Sequence, residues 1–193
     1  MKIQPRREGA RAPGLVMAGF GTLWWLFGTT GMPGAWVAIS VGGGLAIGIV
    51  LFVLTLAQLT GISAQAGYGP NVRRQFALIN LGQTAGIVLA ITVANLAGEA
   101  AWIPALIATV VGAHFLPLAR LFRWPQHWWI AGFMITVGVT GFALALSGTG
   151  LNIVLVVVCP GCAVILWASA AWLIWRYGSH RGRSTPRWHR TFR

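Results

Sequence analysis

The chain contains no aspartate, and its only acids are Glu8 and Glu99. Charged residues of both signs make up 8% of its 193 residues. A soluble domain carries roughly a quarter, so this chain cannot cover a water-facing surface. The missing acids also remove whole classes of chemistry. No Ser-His-Asp arrangement, HExxH zinc site or paired-acid hydrolase can be assembled. No carboxylate lies inside an apolar stretch to relay protons or hold a coupling cation. Any catalysis would have to rely on His, Cys, Arg and amides, which inclines the reading away from an enzyme.

What fills the chain instead is apolar. It is 56% hydrophobic, with a mean hydropathy of +0.73. A membrane-crossing helix needs about 20 such residues to span about 30 Å of hydrocarbon. Six runs qualify, near 14–31, 35–60, 75–97, 103–122, 128–148 and 151–176. Gly, Pro and charge punctuate them, as in Gly31-Met32-Pro33-Gly34, Tyr68-Gly69-Pro70-Asn71 and Arg123-Trp124-Pro125. The fold class expected is all-α, a single membrane domain of six spans over 1–193. The first run is open to a second reading, because Lys2, Arg6, Arg7 and Arg11 before an apolar stretch also suit a signal peptide. Without a small-x-small cleavage site, and with Trp24-Trp25 in its centre, it is read as a retained span.

The basic residues fix an orientation. Lys2, Arg6, Arg7 and Arg11 precede the first span; Arg73 and Arg74 lie in the second connection, Arg120 and Arg123 in the fourth, and six arginines at and after Arg176. The first, third and fifth connections hold no Lys or Arg. The positive-inside rule then predicts both termini in the cytoplasm of a bacterial inner membrane. Trp36 and Trp102 at the opposite end, with Trp124, Trp128, Trp129, Trp172 and Trp175 at the basic end, read as interfacial belts. Basic residues past Arg176, in a tail from 177 to 193 without acids, suit anionic lipid headgroups. Trp188 and Phe192 are too few aromatics for nucleic-acid stacking.

Small residues at helical spacing predict close helix contacts. Gly44 with Gly48, Gly82 with Gly86, and Ala108 with Gly112 each place small side chains one turn apart. They serve packing within the chain or the seam of a homo-oligomer.

Polar residues inside the spans are few. Asn80 and Gln83 share a face of the third span, and His114 lies in the fourth. Measured at about 1.5 Å per residue from Arg74 and Arg120, Asn80 and His114 lie roughly 9 Å deep and Gln83 roughly 14 Å. One layer therefore holds all three. Pro117 cannot donate to the Ala113 carbonyl and should kink the fourth span beside His114. A vestibule at this layer, with Arg73, Arg74 and Arg120 at its mouth, would favour an anionic or zwitterionic solute. The plainer alternative is that His114 bonds Asn80 or Gln83 to lock two helices. His127, between Gln126 and Trp128, reads as an interface residue without a partner.

The string from Arg74-Gln75-Phe76 through Ile79-Asn80 and Gln83, then Ile103-Pro104, the run Val111 to Ala119 containing His114-Phe115-Leu116-Pro117, and Phe122 and Pro125 resembles a family of small bacterial polytopic membrane proteins. That family has no assigned activity. The resemblance covers about a quarter of the chain and implies a bacterial membrane protein, not a chemistry.

Cys159-Pro160-Gly161-Cys162 is the remaining motif. A CxxC can be a redox pair or half of a soft-metal site. Cys162 lies roughly 21 Å and Cys159 roughly 25 Å from the arginine level, well below His114, so a shared zinc site does not assemble. No metal and no cofactor are expected. Three readings stay open: a small transporter or channel-like protein using the polar layer, a non-transporting scaffold, and a thiol-based redox or soft-metal protein.

Overall fold

The computed structural model describes residues 11–59 and 69–178. The first basic cluster apart from Arg11, much of the second connection and the tail beyond 178 lie outside the described residues, and with them the proposed lipid-binding tail. The described residues form six helices: α1 (Arg11–Thr29), α2 (Gly34–Gln58), α3 (Pro70–Leu96), α4 (Trp102–Phe122), α5 (Pro125–Leu146) and α6 (Leu151–Gly178). Among the described residues there is no strand. Each helix matches an expected run, with ends shifted by a few residues where a proline can open a helix. Pro70 and Pro125 stand at the first helical position of α3 and α5, where the missing N–H would have had no partner anyway.

Five helices, α2 to α6, are long and apolar enough to cross a membrane. These five make the chain a multi-pass membrane protein by length and composition. The exception is α1. Its 19 residues reach roughly 28 Å, but Gly14, Gly19, Gly21, Gly28 and the Trp24-Trp25 pair dilute its apolar character.

Two of the three hairpins at the non-basic end are built alike. Gly98 and Gly148 follow the ends of α3 and α5 with φ of +73° and +82°. The next N–H groups, of Glu99 and Thr149, donate back to Ala94 and Leu144 carbonyls at 2.9 and 3.2 Å. This six-to-one closure stops a helix and reverses the chain within a few residues.

The core is organised around α6. Its stripe of Val154, Val158, Cys162, Leu166, Ala170 and Leu173 is buried along the full length of the helix. The closest helix pairs are α4 with α5 and α1 with α6. From there α2 packs on α1 and α6 at one margin, and α3 packs on α4 at the other. Glycines set these approaches. A Cβ on Gly21 would stand 2.6 Å from Trp167 Cδ1, and one on Gly44 would run into the Trp25 ring. Trp25 and Trp167 stack with centroids 5.3 Å apart, and Trp25 Nε1 donates to the Ser40 carbonyl at 2.8 Å. One side chain thus joins α1, α2 and α6. Gly48, Gly86 and Gly112 also sit at close contacts, against Thr22, Val110 and Ile135, whereas Gly82 faces open space.

Neither internal proline interrupts its helix: α4 runs through Pro117 and α6 through Pro160 without a break.

Candidate functional site

The turn between α4 and α5 shapes the basic end of the bundle. Arg123 caps α4 in the left-handed region at φ 53°, the one described non-glycine residue there. Trp124 is extended at φ −100° and ψ 111°, as a residue before proline must be. The chain therefore reverses within two residues. His127, in the first turn of α5, folds back toward the end of α4.

There it is 5% exposed, with ring centroids 5.7 Å from Phe115, 5.7 Å from Trp124 and 6.5 Å from Phe122. The sequence reading of His127 as an unpartnered interface residue is thus corrected: it is a buried member of an aromatic cluster. The reversal at Arg123 and Trp124 was the signal available, because it turns the start of α5 inward. His114 joins through Phe115, centroids 5.8 Å apart, and its ring is in hydrogen-bonding range of the Ile79 backbone on α3. Nδ1 of both His114 and His127 is buried without a partner.

A cavity of about 1060 Å³ opens between α1 and α3, floored by α4 and α6. That volume lies at the upper limit of sites for drug-sized molecules, roughly 300–1,000 Å³. It exists because α1 and α3 make at most marginal contact, each leaning on α6 or α4 instead. Helical stripes line it: Val16, Phe20, Leu23 and Phe27 on α1, and Phe76, Asn80, Gln83 and Ile87 on α3. On α4 the stripe is Ile103, Ile107, Val111, His114 and Leu118. The spacing of three and four residues puts each set on one helix face.

The three polar residues predicted to share a layer, Asn80, Gln83 and His114, all line this cavity. No hydrogen bond joins the Asn80 or Gln83 side chain to His114 among the described residues. Asn80 Nδ2 donates instead to the Phe76 carbonyl of its own helix at 2.8 Å, leaving its second N–H and its oxygen free of that bond. Of the predicted mouth, Arg73 lines the cavity. Arg74 is exposed outside it, and the Arg120 guanidinium lies over the Trp128 ring, 5.3 Å from its centroid. The lining includes His127 and, among the described residues, no Asp or Glu.

The cysteines divide. Both are free and buried. Cys159 lines the cavity, and Cys162 belongs to the sealed core. No cluster of three His, Cys, Asp or Glu able to hold a metal occurs among the described residues. No family model, curated protein or solved structure matches this chain, so what the site can do is read from its own residues.

Proposed function

We propose that the chain is a bacterial cell-membrane protein with six spans and both termini in the cytoplasm, and that it binds an anionic or zwitterionic solute as a small transporter or channel-like protein. One observation carries this reading: a single cavity gathers Asn80, Gln83, His114 and Arg73 and, among the described residues, holds no acid. Net positive potential over neutral hydrogen-bonding groups selects against cations and concentrates anions. A dry, filled space between α1 and α3 would instead have suited a scaffold whose polar residues only lock helices.

The orientation rests on the partition of all fourteen Lys and Arg residues. Membership of the small bacterial family, an anionic-lipid contact for the tail and self-association are parts of the same proposal. The test is a thermal-shift screen of purified full-length protein against anions and zwitterions, repeated on His114→Ala. A binder at a hundred times its Kd should add about 2.7 kcal/mol of stability to the wild type. Equal stabilisation of wild type and variant would remove the site. Thiol labelling of cysteines added at each terminus, in sealed inside-out and right-side-out vesicles, tests the orientation. Labelling of either terminus by an impermeant reagent in right-side-out vesicles would overturn it.

A further inference from the structure

The cavity is polar at one end only. Arg73, Asn80, Gln83, His114 and His127 lie toward the basic end, and beyond His114 the wall is made of residues such as Ile107, Ile103, Leu23 and Phe27. Along α4, from His114 to Ile103, this apolar part is roughly 16 Å long. One leaflet's hydrocarbon is about 15 Å, half of a core of about 30 Å. A small hydrophilic ion uses none of that length. A molecule with a charged head and a leaflet-length tail uses all of it.

We infer that the occupant is a lipid with an anionic phosphate head, its phosphate held by Arg73, its ester groups beside Asn80, Gln83 and His114, and its chain laid along the groove between α1 and α3. This rests on the proposed reading of the cavity as an anion site and names the class of anion. Charge complementarity selects the sign, since the lining holds an arginine and, among the described residues, no acid. Arg73 alone offers five N–H groups to the phosphate, and Gln83 and Asn80 offer amide N–H groups to the ester oxygens below it. A phosphate head presents three strong acceptor oxygens where a carboxylate has two. The bulky α1 face supports the apolar half: Val16, Phe20, Leu23 and Phe27 are 49–63% exposed and all line the groove. Such a face, beyond a polar layer roughly 9 Å below the arginines, seats the chain at hydrocarbon depth while the head stays at the arginine level.

The test is native mass spectrometry and thermal shift on delipidated full-length protein, titrated separately with phosphatidic acid, phosphatidylcholine, oleate, glycerol phosphate and inorganic phosphate. Phosphatidic acid should bind and stabilise, and phosphatidylcholine and oleate should bind about tenfold or more weakly. Glycerol phosphate and inorganic phosphate should have no effect. Arg73→Gln should erase the preference for phosphatidic acid over phosphatidylcholine. Leu23→Trp and Ile87→Trp, both narrowing the groove from rims outside the packed core, should each abolish binding with melting preserved.

If the soluble phosphates stabilise as well as the lipid and Leu23→Trp leaves that intact, the lipid inference fails and the anion site stands. If nothing binds in an Arg73- or His114-dependent way, both fail. Binding of phosphatidic acid that survives all three variants puts the lipid elsewhere on the surface and overturns the inference. So does cross-linking of Phe20→Cys between two chains, which would put a second copy in the groove.

Discussion

The two faces of α1 are opposites. One carries Gly14, Met17, Ala18, Gly21 and Gly28, all buried, and closes against α2 and α6. The other carries Val16, Phe20, Leu23 and Phe27, all exposed and lining the groove. Lipid gives no hydrophobic drive for bulky side chains to meet, so contact forms where side chains are small enough for backbones to approach. The closed face owes its fit to what it omits. The open face shows that large apolar groups in a membrane do not by themselves seal a gap.

Enlarging the closed face should break this contrast most strongly. A Cβ on Gly21 would stand 2.6 Å from Trp167, and one on Gly28 2.8 Å from Pro160 Cδ. Gly21→Leu and Gly28→Leu should each cost about 1–3 kcal/mol through overpacking, read as a lower melting temperature in detergent. On the open face, Phe20→Ala and Val16→Ala should stay within about 0.5 kcal/mol of wild type. A loss there as large as at Gly21 would mean that the groove is packed shut in the membrane.

The cysteines refine the comparison. Cys159 borders the cavity and Cys162 lies in the sealed stripe of α6. A small membrane-permeant alkylating reagent should modify Cys159 first, with Cys162 reacting only on unfolding, as peptide mass mapping would show. The reverse order would relocate the opening. A modest effect of opposite sign belongs to the turn that aims His127. Arg123 holds φ 53° without the tolerance of glycine, so Arg123→Gly should stabilise by up to about 1 kcal/mol. A loss of stability would show that the arginine side chain holds the turn.

Much of this was legible in the sequence. Apolar run lengths gave the helices, because spans must satisfy every backbone group internally. The arginine levels placed Asn80, Gln83 and His114 in one layer, because helical rise is constant. All three do line one space. What the sequence hid was neighbourhood. Depth says nothing of which helix lies beside which, so the separation of α1 from α3, and with it the apolar length of the cavity, had no signature. His127 was hidden for a related reason, since its burial depends on the sharp reversal at Arg123 and Trp124 rather than on its own neighbours in the chain. Pro117, whose lost backbone bond led to the expectation of a kink, lies within one continuous α4.

The placing of α3 has a mechanical consequence. Helix α6 is wedged among α1, α2, α4 and α5, whereas α3 among the described residues leans chiefly on α4, with Gly86 close against Val110. The groove therefore has one stiff wall and one compliant wall. Moving α3 outward would disturb few neighbours, and local openings draw on regions of low contact density. The bundle could admit or release a bulky guest by swinging a single helix, leaving the packed stripe of α6 undisturbed.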